Sequence, residues 1–277
     1  MRPASSFGRC HVALGPEALR WIRQTAIVAR YTLFEGVRTH LLRTVAGSFL
    51  LLCVASLVIE QLAITESSRV RLTFLGASCR LAVTAILCQH VLASVVREIN
   101  DQAVQLVLAL PLRRSAFYAG KLLGYCSLAF LVVLMAGTML APFSQWRLLI
   151  PWLVMLYAEA ALMTGISLFC AMGTRQVLFG SLLAAAFYAI SRSIAPIEHL
   201  AVARLTVQPE GVFANVSYAA VQLLSFALPD LSRFARTDWL VDRAATLAAL
   251  VATTLQTAIY LLLASSAGIH DLNRRNF

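Results

Sequence analysis

Six apolar stretches, at 44–64, 72–96, 117–141, 149–171, 177–195 and 246–267, are each long enough to cross a hydrocarbon core of about 30 Å. They constrain this chain more than any other feature. A backbone in lipid has no water to bond, so its N–H and C=O groups must be satisfied within a helix or a closed barrel. Uninterrupted apolar runs of this length, without strand-like alternation, predict helices. The expected fold class is therefore an all-α polytopic membrane protein with six transmembrane helices. Composition agrees. The 277 residues are 60% hydrophobic and only 13% charged, with mean hydropathy +0.77, whereas a soluble domain averages about 45–50% apolar and 25% charged.

The net charge of +10 would point to nucleic acid in a soluble chain. Here the basic residues sit mostly between the apolar runs, so topology and anionic lipid explain them and no nucleic-acid partner is expected. Seven arginines precede the first run, four basic residues surround the 97–121 interval, Arg175 lies in a tight turn, and Arg274 and Arg275 follow the last run. The short connections on the other side carry Arg69, Arg71 and Arg147, and the longest carries Arg204, Arg233, Arg236 and Arg243. This bias puts both termini in the cytoplasm. The segment 1–43 interleaves Trp21, Ile22, Ile27, Tyr31 and Phe34 with arginines, which predicts an amphipathic helix lying in the cytoplasmic interface. No compact apolar core followed by a cleavage site marks a signal peptide in it. The six cysteines have no CxxC spacing, so no zinc site or other metal site is expected.

The longest patterned interval between two of the runs is 97–121. Glu98, Asn100 and Asp101 stand at its front, an apolar run from Val104 to Leu110 follows, and Pro111 stops it. Asn100 or Asp101 predicts a helix start by accepting first-turn amides, and the residue before a proline predicts its end. Ser115, after Arg113 and Arg114, is the expected cap of the next helix. Arg97-Glu98, the leucine-rich segment, Leu110-Pro111-Leu112-Arg113-Arg114 and Gly120-Lys121-Leu122-Leu123 together resemble the first cytoplasmic loop of ABC-2-type transport permeases. Asn100-Asp101-Gln102-Ala103 stands where members of that family often carry Arg-Gly-Thr.

The resemblance implies a coupling helix at about 98–110 that docks on a separate ABC ATPase subunit, with ATP and Mg bound in that partner and no cofactor here. Leu106 and Leu110 would be its apolar anchors, with Glu98, Asp101, Arg113 and Arg114 around them. It also implies a permease domain over 44–277, a second permease chain (a homo- or heterodimer), and residence in a bacterial cytoplasmic (inner) membrane. No enzyme activity is expected in this chain. Gly120-Lys121 fails as a phosphate loop, because Ser115 stands where the earlier glycine belongs and Leu122 replaces the magnesium-holding Ser or Thr.

Inside the apolar runs stand Arg80, Glu159 and Gln256. An ionisable residue at mid-membrane costs about 2.5–3.5 kcal/mol, which makes it a functional candidate or half of a structural pair. Arg80 and Glu159 differ in expected depth by only about 4–5 Å, so a direct pair between them is predicted. The outer interval, about 196–245, contains a polar-interrupted run at 212–228, too short to cross comfortably and expected to be re-entrant or interfacial. Two further readings stand beside the permease. One is an ion- or proton-coupled transporter using Glu159 and Arg80; the other is a non-transporting membrane scaffold.

Overall fold

The computed structural model describes residues 16–62, 67–101, 113–207, 228–241 and 246–274. These residues are helical, with no strand among them. In chain order the helices are α1 (Pro16–Arg38), α2 (Leu41–Leu62), α3 (Ser67–Asn100), α4 (Arg114–Leu140), α5 (Trp146–Thr174) and α6 (Val177–Val207). A 3-10 turn (Leu231–Arg233), the single-turn α7 (Asp238–Val241) and α8 (Leu247–Arg274) complete the order. Six helices, α2 to α6 and α8, are long and apolar enough to cross a membrane, so the expected spans are present.

The helices outrun the apolar windows that announce them. At 34 residues α3 is about 51 Å long, well beyond a hydrocarbon core of about 30 Å. α6 runs through Pro196 to Val207 although the apolar run stops at 195. Hydropathy registers only the part of a helix that lipid touches.

α5 is the hub, packing against α3, α4, α6 and α8. It contributes Trp152, Met155, Leu156, Leu162 and Leu168 to the buried core. Glycine contacts fix the register. An added Cβ on Gly137 of α4 would meet Leu153 of α5, and one on Gly165 of α5 would meet Leu261 of α8. The start of α4 therefore lies beside the ends of α3, α5 and α8. We call this the proximal end of the bundle and the opposite one the distal end.

The N-terminal helix is part of the bundle. α1 runs alongside the first half of α4, in parallel and in step. Trp21 Nε1 donates to Ser115 Oγ at 3.4 Å, and Arg113 pairs with Glu17 at 2.7 Å. Further along, Gly120 and Gly124 of α4 receive Val28 and Thr32. A Cβ on Gly120 would lie 2.6 Å from Val28 Cβ, and one on Gly124 would lie 2.6 Å from Thr32 Cβ and 2.9 Å from the Ala29 carbonyl. Four-residue spacing of small residues is the device by which helix backbones approach closely in lipid. Thr25 and Thr32, buried in this seam, satisfy their hydroxyls on the carbonyls of Trp21 and Val28. On its other side α1 leaves Ile27, Tyr31 and Phe34 exposed. Ser115 does not cap α4: Arg113 occupies the cap position without a side-chain bond, and the Ser115 hydroxyl is the acceptor for Trp21.

Candidate functional site

Two clusters of buried polar groups stand out, one at each end of the bundle. The proximal cluster joins α1, α3 and α4. Lys121, the chain's single lysine, has a side chain only 2% exposed and forms an ion pair with Glu98. Its ammonium also lies 5.9 Å from the centre of the Tyr125 ring, which meets His90 edge to face at 6.5 Å. One turn away, Glu35 of α1 takes Ser94 Oγ at 3.4 Å and Arg97 Nη2 at 3.6 Å on the same carboxylate oxygen.

These contacts correct the expected boundary. Glu98 and Asn100 close the last turn of α3 and do not open a new helix; the Asp101 amide still donates to the Arg97 carbonyl. The polar residues at the front of the interval are the end of a long membrane helix, which hydropathy had truncated. Asp101 and Arg113 are exposed, and Arg114 Nη1 donates to the Leu272 carbonyl at 2.9 Å, tying α4 to the end of α8. The core of the expected coupling helix, with Leu106 and Leu110, lies outside the described residues.

The distal cluster is built around a turn that enters the bundle. Leu231, Phe234 and Ala235 are fully buried, and Ala235 adopts a left-handed φ of 37°, a conformation a residue with a Cβ rarely takes. That twist turns the Ala235 carbonyl toward two donors, Arg80 Nη1 at 3.1 Å and Trp152 Nε1 at 3.2 Å. Arg192 Nη1 donates to the Leu231 carbonyl at 2.5 Å and reaches the Phe234 carbonyl at 3.4 Å. Glu159, fully buried on α5, accepts the Tyr188 hydroxyl at 3.1 Å on Oε1, while its Oε2 has no hydrogen-bond partner among the described residues.

The predicted direct pair between Arg80 and Glu159 is not formed. α3 and α5 are neighbours, and Arg80 and Arg192 both lie within electrostatic reach of Glu159. Yet the arginines direct their donors to backbone carbonyls, and Glu159 takes a phenol. Glu60, another carboxylate at this end, pairs with Arg71, whose guanidinium lies 4.6 Å from the Phe143 ring centre; Asp230 and Asp238 beside the turn pair with Arg233 and Arg236. Gln256 is half-buried on α8 and belongs to neither cluster. Sequence reasoning missed Glu35, Trp152, Tyr188 and Arg192. Only Arg192, a cation within an apolar run, carried a signal that could have found it.

Two cavities adjoin α3. One of about 420 Å³ lies between α3 and α6, with Met163 and Tyr188 among its walls. The other, about 760 Å³, lies at the turn between α1 and α2 and is lined by Arg38, His40, His90 and Arg97.

The architecture, six apolar helices of which one is the buried hub, is that of a multi-pass all-helical membrane protein. No protein-family model matches the chain, and no curated protein matches its sequence.

Proposed function

We propose that this chain is the membrane-spanning permease subunit of an ATP-binding-cassette exporter. Two permease chains would work with two ATPase subunits to expel a substrate from the cytoplasm or the inner leaflet of a bacterial cytoplasmic membrane. The observation that carries this reading is the way the two stems of the 102–112 interval are bound together. Glu98 at the end of α3 meets Lys121 of α4, and α1 is seated on α4 through Gly120 and Gly124. A push on that loop would reach α3, α4 and α1 as one body, and through α3 and α4 the hub α5. This is the mechanical requirement on a loop that receives force from an external motor. The arginine bias puts the proximal end and both termini in the cytoplasm, and Ile27, Tyr31 and Phe34 give α1 an exposed apolar face alongside α4.

The test is co-purification. The chain should bring down a soluble ATPase in fixed stoichiometry, and ATP hydrolysis should appear only with that partner. Leu106→Asp should abolish the complex while leaving the permease folded. Robust hydrolysis by the isolated chain, or normal assembly of the Leu106→Asp variant, would overturn the assignment. A second reading has one specific observation behind it. Glu159, fully buried with an unpartnered oxygen, suits a proton-coupled transporter. Transport that persists without any ATPase and collapses with the proton gradient would select it.

A further inference from the structure

The two cavities beside α3 share a border, since Ala85 and Gln89 line both. They differ in chemistry. The larger is basic and hydroxylic, with Arg38, His40, His90 and Arg97 around Thr44 and Ser94. It lies where α1 turns into α2, beside the proximal part of α3. The Arg97 side chain is 61% exposed, and its pairing with Glu35 is loose at 3.6 Å; Arg38 has no carboxylate partner among the described residues. Arg43, in contact with His40, adds a further cation at the rim. Glu35 offsets one of these charges, and the Glu98–Lys121 pair is neutral, so the surroundings stay net positive.

The smaller cavity is apolar. Leu81, Leu92, Met163, Leu178, Leu182 and Ala185 are among its walls. On α3 its lining runs from Leu81 to Leu92, a rise of about 16 Å. That is close to the depth of one leaflet, half of a hydrocarbon core of about 30 Å. The basic cavity continues from this groove toward the proximal end, as far as Arg97.

A charged compartment at a helix-end level, adjoining an apolar groove one leaflet deep, has the chemistry of one amphiphile. We infer that the chain binds an anionic phospholipid, its phosphate between Arg38, His40 and Arg97 and one acyl chain in the groove between α3 and α6. Basic pockets between membrane helices hold anionic head groups in this way. An inorganic phosphate would use the first compartment alone, and an uncharged lipid only the second. The inference takes from the proposed function only the identity of the leaflet, the cytoplasmic one. Its test needs neither an ATPase nor transport, so each can fail without the other.

The experiment is native mass spectrometry of the detergent-purified full chain, titrated with phosphatidylglycerol, phosphatidylcholine or inorganic phosphate. Retention of phosphatidylglycerol over phosphatidylcholine is expected. Removing two cations with Arg38→Gln and Arg97→Gln should weaken phosphatidylglycerol binding about 10–30-fold. Arg38→Gln alone, which disturbs no ion pair, should account for part of that loss. Ala185→Phe, a change at an exposed position that fills the groove, should also weaken lipid binding while leaving any phosphate competition unchanged. Equal retention of the two lipids would overturn the inference. So would inorganic phosphate competing as well as the lipid, with Ala185→Phe without effect, because the site would then hold a free anion.

Discussion

At the proximal end of the bundle Lys121 meets Glu98 and Arg97 meets Glu35, cation against carboxylate. At the distal end Arg80 and Arg192 turn to the backbone carbonyls of Leu231, Phe234 and Ala235, and among the described residues Glu159 receives only the Tyr188 hydroxyl. Both ends bury charge, but the partners differ in how they can be exchanged. A side-chain ion pair between two long helices ties those helices together and breaks only if one of them moves. An arginine bound to carbonyls of a short turn instead fastens that turn, through its backbone, to the helices that carry the arginines. The proximal cluster is thus a clamp between helices, while the distal cluster is a socket that holds a buried turn.

The clamp should give the largest effect. Lys121 is almost fully buried, so Lys121→Met leaves Glu98 facing a site made for a cation. Losing one partner of a buried pair typically costs about 3–5 kcal/mol. Lys121→Met combined with Glu98→Gln should recover much of that loss, since no uncompensated charge then remains. Thermal unfolding in detergent reads both. Single variants as stable as the parent would mean that the pair is solvated and that the clamp does not exist.

The seam between α1 and α4 extends the clamp, and one substitution pair tests it. Gly124→Leu would push a side chain into Thr32 and the Ala29 carbonyl, an overpacking worth about 1–3 kcal/mol, and should expose α1 to protease. Gly47 of α2 has nothing within 4 Å of its would-be Cβ. Gly47→Leu should therefore be neutral, or slightly stabilising through helix propensity. Equal effects of the two changes would show that close approach does not fasten α1.

How far these features were legible in the sequence depends on the range of the interaction. The six spans follow from local hydropathy, and each is present. Arg80 and Glu159 stood out because each is an ionisable residue inside an apolar run, yet their partners did not. The acceptor for Arg80 is a backbone carbonyl 155 residues away, and every residue type supplies the same carbonyl. The Glu98–Lys121 pair was within reach of sequence reading: a lone lysine among arginines, flanked by Gly120 and Gly124, is an unusual placement. It was hidden because hydropathy ended α3 too early, at 96, and assigned Glu98 to a separate helix.

The smallest expected difference compares like with like across the two ends. Ser94 and Tyr188 each donate a hydroxyl to a carboxylate whose second oxygen has no hydrogen-bond partner among the described residues. Removing the hydroxyl with Ser94→Ala or Tyr188→Phe changes almost nothing else. A hydrogen bond to a charged group is worth about 1.5–3 kcal/mol, and an ordinary one about 0.5–1.5. Glu35 keeps Arg97 when Ser94 is lost, and its bond from Ser94 is long at 3.4 Å, so Ser94→Ala should fall at or below the lower range. Glu159 is fully buried and has no other hydrogen-bond donor among the described residues, so Tyr188→Phe should fall in the upper one. The expected gap, on the order of 1 kcal/mol, is readable as a difference in unfolding midpoint between the two variants. A gap of that sign sharpens the contrast between the charge-paired cluster of Lys121 and Glu35 and the carbonyl-lined one of Arg80 and Arg192. Equal losses would mean that Arg80 or Arg192 compensates Glu159 through space as well as Arg97 compensates Glu35 by contact, and the two ends would then differ in geometry but not in electrostatics.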